Sequence, residues 1–184
     1  YTAFANGGMR VDPVYVTHIT DGDGNVISEF TPKYTEVLSE MAYYKILSIL
    51  LNVVDSGTGA RLRRAPFSLT AQIGGKTGTT NYNADGWFMG FTPDLVTGVW
   101  VGGEERYIHF NSMASGQGAS MALPIFGQYM KQIYEDKHLR YSQETRFKFP
   151  AEIDLCFKED LGGIPIDQAQ GEIQPDEAIE GIFD

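Results

Sequence analysis

The chain has 184 residues, 42% of them hydrophobic and 21% charged, a composition that fits one globular domain or a large part of one. Its net charge of −10 is uneven, because residues 150–184 carry ten acidic side chains and one lysine while the rest is close to neutral. Because no basic face is evident, we expect no nucleic-acid partner. No apolar run reaches the ~20 residues that a membrane span needs.

Cysteine and histidine usage gives no sign of a metal centre. Cys156 is the only cysteine, which excludes a disulfide within the chain, and His18, His109 and His138 are scattered without the spacing of metal ligands. The sequence predicts no metal and no cofactor.

The first predicted elements are a helix end and a β-hairpin. Asn6, Gly7 and Gly8 stop a helix that occupies residues 1–6, as glycines after a helix commonly do. "VYVTHIT" (14–20) and "VISEF" (26–30) have the β-branched content of strands, and "DGDGN" between them is a tight turn. Because residue 1 is not Met and no signal-peptide pattern follows it, we expect the chain to start inside a larger protein.

A long helix is predicted next. Apolar side chains recur at three- and four-residue steps across residues 34–54, which indicates a helix with one buried face: Val37, Met41, Tyr44, Leu47, Leu51 and Val54. The helix ends at Asp55-Ser56-Gly57. The segment "GTGARLRRAPF" (57–67) then predicts a loop whose three arginines, Arg61, Arg63 and Arg64, are exposed.

Three strands and a second helix follow. Residues 71–79, "GWFMGF" (86–91) and "LVTGVWVG" (95–102) predict antiparallel neighbours, because their connections are short. Trp87, Phe88 and Trp100 are expected in the core. After a loop at 109–120, a helix is marked by Met121, Ile125, Tyr129 and Ile133, with Pro124 expected in its first turn.

The segment "GGKTGTT" (74–80) leaves two interpretations open. A phosphate-binding loop needs G-x-x-x-x-G-K-[ST] followed by a helix. "TAQIGGKT" is one residue short of that pattern, has Thr70 in place of the first glycine, and precedes turn-forming residues that are poor in a first helical turn. The alternative, a strand edge that holds a carboxylate, is favoured, since Lys-Thr-Gly is a signature of serine acyltransferases.

Each residue of such an edge has a chemical use. The ammonium of Lys76 supplies positive potential, and the hydroxyl of Thr77 can donate to a carboxylate. Gly78 lets a substrate backbone approach the strand. The backbone N–H of Thr79 can stabilise a carbonyl oxygen that becomes negative during acyl transfer, and such a donor contributes ~10²–10³ in rate.

The longer run "GGKTGTTNYNADGWFMGFTPDLVTGVWVG" closely resembles the transpeptidase domain of class A, bifunctional penicillin-binding proteins. In that family a K-T-G-T-T strand is followed by Asp-x-Trp-Phe, a Gly-aromatic-Thr-Pro turn and a Val-Trp-Val-Gly strand, here residues 76–80, 85–88, 90–93 and 99–102. "YTAFANGG", "VDSGTGARLR" and "GQGASMALPIFGQYM" are similar to other stretches of the family. We divide the chain into residues 1–149, the C-terminal part of this domain, and an acidic C-terminal extension, 150–184.

The resemblance implies an α+β fold like that of transpeptidases and serine β-lactamases. The family's antiparallel sheet has five strands, and we expect this chain to supply about three core strands, an N-terminal hairpin and flanking helices. The implied reaction is D,D-transpeptidation of peptidoglycan stem peptides by serine acyl transfer, with β-lactams as inhibitors. It assigns catalysis to Lys76 and Thr79 and substrate binding to Thr77, Gly78 and Thr80.

Two of the family's three catalytic motifs are missing from this sequence. No serine is followed by lysine three places on, and no Ser-x-Asn occurs. We therefore expect the chain alone to be inactive and to associate with the missing N-terminal part of the domain or with itself. The alternative is a non-catalytic β-lactam- or peptide-binding sensor module. The family implies the periplasmic face of the bacterial inner membrane, with an anchor outside this chain.

Overall fold

The structure, a computed structural model, describes residues 1–150, so the predicted extension lies outside the described residues apart from Pro150. Helices and strands alternate irregularly along the chain, which confirms the α+β prediction. The four α-helices and seven strands are α1 (Thr2–Ala5), β1 (Met9–Val11), β2 (His18–Thr20), β3 (Val26–Glu29), β4 (Tyr34–Glu36), α2 (Glu40–Asp55), β5 (Gly74–Thr79), β6 (Asp85–Phe91), β7 (Val96–Gly102), α3 (Met113–Gly116) and α4 (Gly118–Glu135).

The central feature is the predicted three-stranded antiparallel sheet, in the order β5-β6-β7. Lys76 lies opposite Met89, and Trp87 lies opposite Trp100. β5 begins at Gly74, three residues later than predicted. Gly74 lies opposite Phe91, the last residue of β6, so the partner strand ends there, and the carbonyl of Ala71 accepts from Arg63 instead.

Helix α4 covers one face of the sheet. Phe126 is fully buried, and its ring centroid lies 4.8 Å from that of Phe88. The predicted face of α4 is wrong at two positions, since Ile125 and Tyr129 are exposed. The residues that face the core follow both the three- and four-residue steps of a helix: Met121, Ala122, Leu123, Phe126, Gly127, Met130 and Ile133.

The position predicted for Pro124 is also wrong. The amides of Ser120 and Met121 bond to the carbonyl of Gln117, so α4 starts at Gly118 and Pro124 falls in its second turn. Pro124 has no amide proton for the carbonyl of Ser120 and its ring crowds that carbonyl, yet the helix continues to Glu135.

Helix α2 begins six residues later than predicted, after Ser39. Residues Tyr34–Glu36 instead form β4, which pairs with β1, and the amides of Val37 and Leu38 bond to the carbonyl of Gly8. These long-range bonds hold the segment extended. The buried face of the helix is Tyr43, Leu47, Leu50, Leu51 and Val54, whereas Met41 is exposed.

The hairpin of β2 and β3 is confirmed, although β2 covers only the last three of the seven residues predicted. The carboxylate of Asp21 organises its turn, since it accepts from the amides of Asp23 and Asn25 and from the side chain of Asn25. These bonds, the Asn25 side chain first, hold the pKa of Asp21 below its usual value. Within residues 1–150, no helix combines the length and the apolar character that crossing a bilayer demands.

Candidate functional site

The Lys-Thr-Gly segment lies in an extended strand at the edge of the sheet. The chain then forms a short 3₁₀ turn, Asn81–Asn83, and enters β6. This contradicts the phosphate-loop alternative, because no α-helix follows whose N-terminal amides could hold a phosphate.

Register shows which backbone groups of β5 face outward. The amide of Thr80 bonds to the carbonyl of Asp85 at 3.0 Å, so that pair is hydrogen-bonded. Residue pairs along an antiparallel ladder alternate between hydrogen-bonded and non-hydrogen-bonded. The non-hydrogen-bonded pairs here include Thr79 with Gly86 and Thr77 with Phe88. The N–H and C=O groups of Thr77 and Thr79 therefore point away from β6, toward the edge of the described sheet.

The exposed Lys76 carries its charge to the same edge. Its ammonium donates to the carbonyl of Thr77 at 2.9 Å. Gly78 lies opposite Trp87, and a methyl group at Gly78 would come 3.2 Å from Trp87 Cβ. The positive charge of Lys76 therefore lies beside the outward-facing backbone groups of Thr77 and Thr79, and the residue between these two, Gly78, has no side chain.

A neighbouring loop reaches Thr77. The hydroxyl oxygens of Thr77 and Thr58 are 3.1 Å apart, although 19 residues separate them in the sequence. Thr58 lies in the turn that follows α2, in the "SGTG" stretch. This stretch resembles the family, but no role was predicted for Thr58, because nothing in the sequence brings it to β5.

The first residue of α4 holds the end of β5. The amide of Gly118 donates to the hydroxyl of Thr79 at 3.0 Å. A methyl group at Gly118 would meet the carbonyl oxygens of Gly78 and Trp87, so the helix approaches the two strands more closely than a larger residue allows. The side chain of Thr79 is thereby engaged by α4, while its amide points to the sheet edge.

The connection between β5 and β6 is braced by Asp85. Thr80 donates its hydroxyl proton to Asp85 at 2.9 Å and accepts from the Asp85 amide, and the Trp100 indole donates to the other carboxylate oxygen at 3.0 Å. Asp85 therefore has a structural role, since it braces the turn between β5 and β6. The contribution of Thr80 to substrate binding stays a prediction, and in this structure its hydroxyl is hydrogen-bonded to Asp85.

Two side-chain predictions are corrected here. Trp87 and Trp100 are 43% and 48% exposed and lie side by side on the surface, whereas Phe88 is fully buried as expected. Arg63 is not a free surface arginine, because it donates to the carbonyls of Leu69 and Ala71 and pairs with Asp55 at 2.6 Å.

A separate half-open cavity of about 340 Å³ lies at the far end of β7. Its lining comes from the residue before β6, the end of β7, the following loop and α4: Ala84, Val101, Gly102, Gly103, Ile108, His109, Phe110 and Met121. None of the five predicted site residues contributes to it. Within residues 1–150 no group of three His, Cys, Asp or Glu side chains is placed to hold a metal ion.

The chemistry at the edge of β5 suits a peptide that ends in a carboxylate. The edge offers an outward amide and carbonyl for strand-like pairing, an ammonium for charge neutralisation and a hydroxyl as a donor. Most of these groups belong to five consecutive residues, so an extended ligand would meet them in a fixed order.

Comparison with known proteins adds three findings. The sequence profile of the penicillin binding protein transpeptidase domain matches residues 1–131. Penicillin-binding protein 1A of Rickettsia conorii is 33% identical over all of this chain and 24% of that protein, and the Aquifex aeolicus protein of the same name is 40% identical over 71% of this chain and 17% of that protein.

Among solved structures, penicillin-binding protein 1A from Haemophilus influenzae matches 81% of this chain and 26% of that chain, with a TM-score of 0.62 and 24% identity, a likeness of fold. The chain spans about a quarter or less of the length of these curated relatives.

Proposed function

The chain belongs to the penicillin-binding protein transpeptidase family, and on this premise we propose that it forms one wall of the site of a serine D,D-transpeptidase that cross-links peptidoglycan stem peptides. The supporting observation is the edge of β5, where Lys76 and the outward backbone of Thr77 and Thr79 occur together. The sequence resemblance and the fold likeness point the same way.

We propose a role for each of the five residues, supported by their positions on β5. Lys76 supplies positive potential, and the hydroxyl of Thr77 donates to the terminal carboxylate of a stem peptide or β-lactam. Gly78 leaves room for the ligand backbone. The amide of Thr79 donates to the developing oxyanion, and Thr80 keeps the strand end in place through Asp85.

The nucleophile is proposed to come from another segment, since neither Ser-x-x-Lys nor Ser-x-Asn occurs in the 184 residues. The acyl-enzyme step would then need both segments in one domain, with an amine of a second stem peptide as acceptor. By family membership we also place the whole protein at the periplasmic face of the inner membrane.

The test uses a fluorescent penicillin that labels an acylated serine. The chain alone should give no covalent adduct, whereas a fusion to the serine-bearing segment of a curated relative should be labelled. Lys76→Ala in that fusion should reduce the labelling rate by about 10²-fold or more, because a charge beside the reacting group is lost. Lys137→Ala, an exposed lysine outside β5, should leave the rate unchanged. Labelling of the chain alone would contradict the proposal, as would equal rates for both variants.

A non-catalytic peptide- or β-lactam-binding module is the second candidate, favoured by the missing serine motifs. It predicts that even the folded fusion binds penicillin reversibly and never forms an adduct. Denaturing gels separate the two outcomes, because only a covalent product keeps its fluorescence.

Association with another part of the domain or with a second copy remains a proposal as well. Large apolar side chains are exposed on the hairpin and nearby, among them Tyr15, Val26 and Ile27, at 59–93% exposure. Such exposure favours association. Light scattering tests it, since a monomer with one cooperative melting transition would contradict this proposal.

A further inference from the structure

We propose that Thr58 is a positioning residue that directs the hydroxyl proton of Thr77 toward the carboxylate of a bound ligand. This inference deepens the proposed function and rests on it. It starts from the 3.1 Å separation of the two hydroxyl oxygens.

Thr58 is fixed in place by the two glycines beside it. The amide of Gly57 bonds to the carbonyl of Asn52, and the amide of Gly59 bonds to that of Val53 at 2.8 Å. A methyl group on either glycine would lie about 3.0–3.1 Å from backbone atoms of Val53, so the turn is wound tightly against the end of α2. Because Val54 in that last turn is fully buried, the turn is tied to the core.

The chemistry follows from the inventory of a hydroxyl group, which has one proton to donate and two lone pairs that accept. When the hydroxyl of Thr58 donates to the oxygen of Thr77, the hydroxyl proton of Thr77 is not bonded to Thr58. It can then be donated to an acceptor at the strand edge. A donor that itself accepts a hydrogen bond is polarised and binds an anion more strongly. With a carboxylate bound at the strand edge, the pair forms a relay that runs from Thr58 through Thr77 to that carboxylate.

The alternative direction, in which Thr77 donates to Thr58, would leave the outward proton on Thr58. A carboxylate supplies only acceptors, so it selects whichever arrangement points a proton at it. The ammonium of Lys76 donates to the Thr77 carbonyl and not to the Thr77 hydroxyl, so the hydroxyl can interact with Thr58 and with the ligand.

The first test needs no ligand and uses the full 184-residue chain. Three-bond NMR couplings report the side-chain rotamer of Thr77, which should be single in the parent and averaged in Thr58→Val. Thr58→Ser keeps the hydroxyl and should restore the single rotamer. Thr35→Val, an exposed threonine on β4, serves as the control. An averaged rotamer in the parent chain would overturn the inference.

The second test measures how strongly the chain prefers a ligand with a C-terminal carboxylate over the same ligand with an uncharged C-terminal amide. N-acetyl-D-Ala-D-Ala and its C-terminal amide are titrated against the chain, with the amide resonances of Thr77 and Thr79 as the signal. Thr58→Val should lose about three- to tenfold of the preference for the acid, the equivalent of one hydrogen bond, and should bind the amide as the parent does.

The outcomes separate the two levels of the hypothesis. A parent chain that shows no preference for the acid refutes the proposed function at this edge, and the rotamer measurement still decides the role of Thr58. A parent that prefers the acid, together with a Thr58→Val chain that prefers it equally, refutes the positioning role alone.

Discussion

Replacing Gly118 by alanine tests the contact between α4 and the candidate site. The added methyl group would lie 2.5 Å from the carbonyl oxygen of Trp87 and 3.2 Å from its amide nitrogen, and it would also meet the carbonyl of Gly78. Carbon–oxygen contacts are normally ~3.3–3.6 Å, so the start of the helix has to move by about 1 Å. That movement breaks or lengthens the 3.0 Å bond from the Gly118 amide to Thr79.

The expected cost combines two opposing effects. Overpacking against rigid backbone costs ~1–3 kcal/mol, occasionally more. Alanine recovers at most ~1 kcal/mol of helix propensity, and less at a first helical position. We expect Gly118→Ala to lower the free energy of unfolding by about 2 kcal/mol, which for a chain of this size lowers Tm by ~4–8 °C.

Calorimetry or urea unfolding measures this loss, and Gly22→Ala is the matched control. No heavy atom lies within 4 Å of a methyl group at Gly22, and its φ is not in the left-handed region, so the control should unfold like the parent. Equal stability of the Gly118→Ala chain would show that α4 does not rest on the backbone of β5 and β6, and the proposed positioning of Thr79 would fall with it.

Three further predictions concern the scaffold. Phe126→Ala should destabilise the chain by ~3–5 kcal/mol and Ile125→Ala by under ~1 kcal/mol in urea unfolding, because only the first side chain is buried; similar losses would contradict the observed face of α4. Arg63→Met should cost ~2–3 kcal/mol by leaving two backbone carbonyls unpaired, whereas Arg64→Met should cost under ~0.5 kcal/mol. The pKa of Asp21 is lowered in the folded hairpin, so the ionised carboxylate stabilises the hairpin above pH 3.8, and this stabilisation is lost as the pH falls through the folded pKa. NMR shifts of the hairpin amides should show this acid transition, and Asp21→Ala should abolish it.

The sequence predicted those elements whose signals are local. Strands β5 to β7 are separated by short turns, so their antiparallel order followed from connection length alone. The hairpin followed from the "DGDGN" turn for the same reason. Elements that depend on distant partners were not predicted. Residues 34–36 were included in the predicted helix, and they form β4 because Met9–Val11 lies beside them.

The predictions for buried faces failed for a related reason. The stripe predicted for α4 used only four-residue steps, and its two inner members, Ile125 and Tyr129, lie outside the buried face, whereas Met121 and Ile133 at its ends are buried. The true face alternates three- and four-residue steps, and Leu123 and Phe126 belong to it. Which phase a helix adopts depends on the sheet beneath it, here the Phe88 face of β6, and that information is not local.

At the candidate site the sequence identified a segment and missed its supports. Lys76 and its neighbours were recognisable because their types and order are specific. Thr58 and Gly118 act through contacts spanning 19 and 39 residues along the chain, which no short pattern records. The "SGTG" stretch gave no such signal, because its turn is held by bonds from the amides of Gly57 and Gly59 to α2 that only the folded chain shows.

Within residues 1–150, β5 is an edge strand with no partner on its outer side. An exposed edge would pair with any extended chain, and a lysine on it discourages such pairing. Here Lys76 has that position, and the side chains of Thr77 and Thr79 are bonded to Thr58 and Gly118, which keeps the strand from twisting away. Because its side chains are held by the scaffold, the strand leaves its outward amides and carbonyls at fixed spacing. In the proposed site, a ligand that brings its own negative charge would compensate the lysine, so the group that discourages strand pairing would also favour a peptide ending in a carboxylate.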